Sequence, residues 1–260
     1  MKLNKHESGA GPNLVLIHGW AMNPAVWDGL MTELVQSYRV ICVELPGHGV
    51  SDYALPWTLD EVLQALSEQL PECCSIVGWS LGGMLALAYA QRYPKRVDRL
   101  VMMASSAKFV QAENWECAQQ ESVLAAFIKG LESKASMTIK RFLSLQTQGL
   151  AQAKEINRQL KDILAKGGEG LYEGLLSGLK VLQQADLRLA LLEMTSPVLM
   201  ILGAKDQLVP LAAGEASLKI NPHIQLSIIN EASHVPFLSH QAEVVEAIKQ
   251  FIVTKEYQGE

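Results

Sequence analysis

The five residues Gly78-Trp79-Ser80-Leu81-Gly82 constrain this chain more than any other feature. They follow an apolar run at 75–77 and lead directly into a helical pattern at 81–93, which Pro94 ends. Passing from strand to helix in so few residues requires a sharp turn, and glycines on either side of the serine leave room for the backbone to fold back on itself. The turn lifts the serine hydroxyl above the end of the strand and sets it at the positive end of a helix. The bland alternative is a glycine-rich strand-to-helix turn with an incidental serine.

The rest of the chain has the pattern this turn needs. Short apolar runs at 14–17, 39–43, 75–77, 100–103, 198–202 and 225–229 alternate with amphipathic stretches, as in a mostly parallel central sheet with helices on both faces. Predicted helices cover 58–70, with Thr58 as N-cap and Glu61 closing a capping box, then 81–93 and 242–252. Between 107 and 186 no strand is convincing. Apolar residues recur there at helical spacing, in Leu124, Phe127, Ile128 and Leu131 and again in Leu171, Leu175, Leu179 and Leu182. This reads as a helical cap insertion in a core made of 1–106 and 187–260. It is expected over the sheet's C-terminal edge, where open α/β sheets bind ligands.

A length of 260 residues, 49% of them hydrophobic, suffices for one large core. The net charge of -5 argues against nucleic-acid binding, which leaves a basic footprint. Residues 1–11 are polar and read as a tail without a signal peptide's apolar core. No apolar run approaches the roughly 18 residues of a membrane span. Cys42, Cys73, Cys74 and Cys117 form no CxxC pair and read as buried free thiols in a reducing cytoplasm. No metal motif and no nucleotide loop is present, so no cofactor is expected.

A serine hydroxyl needs a base to take its proton. His234 lies between the last predicted strand and the last helix, on a loop able to reach the sheet's edge. His6, His223 and His240 are placed less well. The base in turn needs an acid to hold its tautomer and stabilise its charged form. Asp206 follows the run at 198–202, and the order Ser80, Asp206, His234 is one a nucleophile-elbow hydrolase imposes. Each placement has an ordinary reading, as a turn aspartate or a surface histidine, but the three agree. Acyl transfer also needs donors for an oxyanion. The backbone N–H groups of Leu81, after the serine, and of Trp20, in His18-Gly19-Trp20 after the first run, are the candidates. His18 reads as structural, and Pro46-Gly47-His48-Gly49, followed by Ser51 and Asp52, as an architectural turn. Trp20, Trp79 and Phe142 either line an acyl channel or pack.

At these residues the chain resembles the α/β-hydrolase superfamily along nearly its whole length. More narrowly, it resembles the methyl ester esterases that act on pimeloyl-acyl carrier protein in biotin synthesis. The resemblance rests on Leu16-Ile-His-Gly-Trp20, Gly78-Trp-Ser-Leu-Gly-Gly83, Arg141-Phe-Leu-Ser-Leu-Gln146 followed by Thr147, and His234-Val-Pro-Phe-Leu-Ser-His240. It implies substrate contacts at Trp20, Ser80, Leu81, Phe142, Leu143, Ser144, Leu145, Gln146 and His234. It also implies a cytosolic, cofactor-free monomer that releases methanol from a carrier-bound ester.

Between Lys134 and Lys166 the chain carries seven basic residues against two acidic ones. Lys154, Arg158 and Lys161 share a helix face, with Lys140 and Arg141 upstream. Such a face can be a solvated surface, or it can dock an acidic acyl carrier protein. Met137 stands where the family tends to place a further basic residue. Other readings of the same serine site are a generalist short-chain esterase, a C–C hydrolase or a lyase. From another class, a non-catalytic ligand receptor on this scaffold remains.

Overall fold

Strands β1 (Lys5–Ser8), β2 (Asn13–Ile17), β3 (Arg39–Val43), β4 (Cys74–Trp79), β5 (Val97–Met103), β6 (Val198–Gly203) and β7 (Gln225–Ile229) form one sheet. The computed structural model describes residues 1–49, 51, 56–168 and 170–253; Asp52 lies outside them. The sheet order is β1-β3-β2-β4-β5-β6-β7, with all neighbours parallel except β1, which runs antiparallel to β3. Every residue of β4 and β6 is buried, as central strands covered on both faces require.

Helices α1 (Asp28–Leu34), α2 (Leu59–Gln69), α3 (Leu81–Arg92), α4 (Glu121–Gln146), α5 (Ala153–Gly167), α6 (Tyr172–Gln184), α7 (Arg188–Leu192), α8 (Leu211–Ile220), α9 (Pro236–Ser239) and α10 (Gln241–Val253) surround it. The α1 and α10 helices pack on each other, while α2, α3, α7 and α8 form a second contiguous set. The capping box at Thr58 and Glu61 is present, with each side chain accepting the other's backbone N–H. Because β2 lies between β3 and β4, the chains leaving β2 and β4 diverge. That divergence opens a crevice at the strand ends, and both Trp20 and Ser80 stand on its rim.

Helices α4 to α6 occupy the segment between β5 and β6, preceded by an irregular stretch with bridges Val110–Gln119 and Ala112–Trp115. The α4 helix breaks at Lys134, where φ is -151° and ψ is 60°. Its halves fold back on each other, so that the Phe127 and Phe142 rings lie 5.8 Å apart. Unbroken helix would separate those residues by about 22 Å. Gly130 permits the return, because a side chain there would meet Thr138.

Two readings need correction. Residues 5–8 are an edge strand rather than tail; Lys-His-Glu-Ser carries no apolar alternation because its side chains stay largely in water, and its backbone ladder and the Glu7–Arg39 ion pair tie it to β3. The thiols are free, but only Cys42 and Cys74 are buried; Cys117 is half-buried and Cys73 is exposed. Cys73 sits in the turn before β4, whereas Cys74 is the strand's first residue. Burial pushes the Cys42 and Cys74 thiols up to about 12. Among the described residues no helix is long and apolar enough to cross a membrane.

Candidate active site

Ser80 joins β4 to α3 with φ 55° and ψ -118°, a left-handed conformation that costs a non-glycine residue about 1–3 kcal/mol. Its surroundings enforce that conformation. The Ser80 N–H donates to the Met103 carbonyl at 2.9 Å, and the Ser105 hydroxyl donates to the Ser80 carbonyl at 2.8 Å. A side chain at Gly78 would run into the Gly82 carbonyl, and one at Gly82 into that of Ile17. The two glycines of the motif are therefore demanded by backbone packed against backbone.

The structure brings Ser80, His234 and Asp206 into one hydrogen-bonded line. His234 Nε2 lies 2.9 Å from Ser80 Oγ, and His234 Nδ1 lies 2.8 Å from Asp206 Oδ2. The other oxygen, Asp206 Oδ1, accepts the N–H groups of Leu208 at 2.8 Å and Val209 at 3.0 Å, which fixes the carboxylate plane. All three side chains are buried. With Nδ1–H directed to the carboxylate, Nε2 offers its lone pair to the hydroxyl, the arrangement a general base needs.

The oxyanion candidates flank this line. Leu81 opens α3, and its N–H belongs to the first turn, which has no partner inside the helix. Neither the Leu81 nor the Trp20 N–H donates to an acceptor among the described residues. The Trp20 N–H is aimed by its own peptide. The Gly19 carbonyl is held by His18 Nδ1 at 2.8 Å and by the Met22 N–H at 3.3 Å, so the trans peptide turns the Trp20 N–H the opposite way. His18 Nε2 accepts the Leu45 N–H at 3.0 Å, which leaves the proton on Nδ1. Burial, and secondarily the nearby His48, holds the His18 imidazole down at about 3. Burial likewise brings His48 to about 4, and both rings are neutral near pH 7.

The helices of 107–186 rest directly on these loops. The Trp20 indole N–H donates to the Leu175 carbonyl of α6 at 2.8 Å, and a side chain at Gly178 would meet Trp20 and Leu81. Phe142 stands edge-on to Trp20 with ring centres 4.8 Å apart. The Gln146 carbonyl, in the last turn of α4, accepts the His234 N–H at 3.2 Å, while its buried Oε1 has no partner among the described residues. Phe142 and Gln146, four residues apart, thus face the site. Leu143 is buried and Leu145 half-buried. Ser144 is not brought to the site; it is exposed, and its hydroxyl donates to the Lys140 carbonyl and receives the Asn157 amide. An apolar cavity lies between α4 and α6, lined by Phe127, Phe142, Leu179, Leu182 and Leu208 among others.

Trp79 does not line a channel. Its indole is enclosed by Trp27, Phe237 and the His234 ring. Side chains alternate across a strand, so the residue before Ser80 points into the body of the fold. Its N–H donates to the His234 carbonyl at 2.8 Å, a link nothing in the sequence announces.

Of the basic residues, Lys140, Arg141, Lys154, Arg158 and Lys161 are all exposed. Arg158 is committed to Glu155 at 2.6 Å and Asp162 at 3.4 Å, and Arg141 lies over the Phe127 ring at 5.7 Å. Among the described residues no cluster of His, Cys, Asp and Glu could hold a metal ion.

Comparison with known proteins agrees with the fold. The model of the alpha/beta hydrolase fold family matches residues 12–241. An esterase from Exiguobacterium antarcticum superposes with a TM-score of 0.87 at 20% identity, covering 97% of this chain and 96% of that one. The enol-lactonase from Burkholderia xenovorans LB400 gives 0.83 at 19% identity, covering 97% and 96%. Two relatives bear the name pimeloyl-[acyl-carrier protein] methyl ester esterase. The one from Aeromonas hydrophila is 38% identical over 97% of this chain and 100% of its own. The one from Nitrosomonas europaea is 37% identical over 92% and 94%. With that identity running end to end over an α/β-hydrolase scaffold, the chain belongs to the pimeloyl-acyl carrier protein methyl ester esterase family of α/β hydrolases.

Proposed function

We propose that the protein hydrolyses the methyl ester of pimeloyl-acyl carrier protein to the free pimeloyl acid, still on its carrier, and methanol. The observation that carries this reading is the line Ser80–His234–Asp206, formed beneath helices that also hold Trp20 and Phe142. The family's name supplies the substrate.

In this reading residues 107–186 act as a cap on the core of 1–106 and 187–260. Ser80 Oγ attacks the ester carbonyl as His234 Nε2 takes its proton, and Asp206 holds the ring and stabilises the imidazolium. The N–H groups of Leu81 and Trp20 receive the oxyanion. His234 returns the proton to methanol as the Ser80 acyl-enzyme forms, then activates water, and the acid leaves with Ser80 restored. Phe142 and Gln146, with Leu143 and Leu145 behind them, shape the acyl site; the exposure of Ser144 takes it out of that set. Lys140, Arg141, Lys154 and Lys161 receive the acidic carrier, with Arg158 weakened by its own two carboxylates. The enzyme works as a cytoplasmic monomer without a cofactor.

The test follows methyl loss from methyl pimeloyl-acyl carrier protein by intact-mass spectrometry, with dimethyl pimelate as the free comparison. Much faster turnover of the carrier-bound ester supports the whole reading. Turnover of the free ester alone keeps the serine hydrolase and removes the carrier. No turnover of either ester overturns it.

A further inference from the structure

The main chain of His234 is held on both sides of its Cα. The N–H before it donates to the Gln146 carbonyl, and the C=O after it accepts the Trp79 indole N–H at 2.8 Å. The Trp79 side of this clamp is the rigid one. The indole is fully buried, with Phe237 and Trp27 ring centres at 5.0 Å and 6.4 Å, and Gly19 has no side chain because the Trp79 ring fills that space. Trp79 is also the residue covalently joined to Ser80. One dipeptide therefore delivers the hydroxyl and, through an indole N–H, fixes the backbone that carries its base.

We infer that Trp79 is a positioning residue for His234, acting through the donor on its ring rather than through the volume the ring fills. The inference rests on the reading of Ser80, His234 and Asp206 as the reacting line. A fixed Cα leaves the imidazole only its side-chain torsions, and the bonds to Asp206 Oδ2 and Ser80 Oγ then select one ring orientation. Freed from the indole, the loop can drift. A displacement of about 1 Å at a reacting group is worth roughly 10²-fold in rate.

Donor and volume are separated by replacing Trp79 with 3-benzothienylalanine, which keeps the bicyclic shape and puts sulfur where the N–H was, alongside Trp79→Phe. With a free methyl ester, the expected result for the benzothienyl variant is a roughly 10²-fold lower kcat with KM unchanged. Combined with Asp206→Asn it should lose less than the product of the two single losses, because both act on the same ring. A benzothienyl variant with the native kcat overturns the inference and leaves Trp79 as core filling. So do losses that multiply fully with Asp206→Asn. Activity surviving in Ser80→Ala overturns the reading of the site itself, a result distinguishable from both.

Discussion

The elbow after β4 and the helices over it meet at Trp20, yet different forces hold them. Around Ser80 the backbone is strained, its own N–H and C=O are each held by a hydrogen bond, and side chains at the motif's glycines would collide with backbone. Over it, α4 and α6 lie on apolar faces, joined to the loops below by an edge-on aromatic pair, by hydrogen bonds to the Leu175, Gln146 and Gly47 carbonyls, and by the Trp57 N–H to the Ser177 hydroxyl. A site built the first way holds reacting atoms to fractions of an ångström. A cover built the second way can be remodelled for a different acyl chain without touching the chemistry. Damage below should therefore appear in kcat, and damage above in KM.

After Ser80 itself, the largest effect expected is at Asp206. Asp206→Asn should keep the fold and lower kcat about 10⁴-fold, since the ring loses its tautomer; steady-state kinetics beside a melting curve would show it. Next is His18→Asn. Its ring holds the Gly19 carbonyl, so freeing that peptide should misdirect the Trp20 N–H and lower kcat about 10²–10³-fold with little change in KM. A change in KM alone would move His18 out of this account.

The same pair of histidines predicts how stability responds to acid. His48 is brought to about 4 in the fold from an ordinary 6.5, so between those values the unfolded chain binds more protons. Stability is complete above about pH 6.5 and falls as pH drops toward 4, by about 3 kcal/mol from this group. His48→Asn should lower that slope without abolishing it, since His18, brought to about 3, contributes across the same interval; in urea titrations an unchanged slope would assign it elsewhere.

Above the elbow, Phe142→Ala removes the ring facing Trp20. It should cost about 10-fold to 10²-fold in kcat/KM, mostly through KM, and a loss mainly in kcat would break the comparison. Smallest is Lys161→Glu, a few-fold slower on the carrier-bound ester and unchanged on the free ester, with the difference vanishing at high salt. Neutralising the two instead, Lys161→Gln should slow the carrier-bound ester more than Arg158→Gln, because the Arg158 charge is already paired.

How far each region could be read in the sequence follows the same division. The elbow was legible because sterics allow so few residues there: Gly78 and Gly82 admit no side chain, and chain order fixed Asp206 and His234. Central strands showed as unbroken apolar runs because helices cover both faces. The β1 edge strand did not show, since its side chains face water. The helical period of 107–186 was legible in Leu124 to Leu131 and in Leu171 to Leu182, but the break at Lys134 was not. Lysine is a good helix former, and only the packing of Phe127 on Phe142 reveals the return. The exposure of Ser144 was not legible, because a motif names consecutive residues while a helix presents one face. The Trp79 link was invisible, because a tryptophan before the serine reads equally well as lining or as packing.

The most direct test of the central claim is the demethylation rate of methyl pimeloyl-acyl carrier protein by the native protein and by Ser80→Ala in one intact-mass assay. The account predicts rapid conversion by the native chain and a loss of about 10⁴-fold or more in an equally stable variant. Conversion by Ser80→Ala at a comparable rate would contradict it, and the hydroxyl at the elbow would then be no nucleophile.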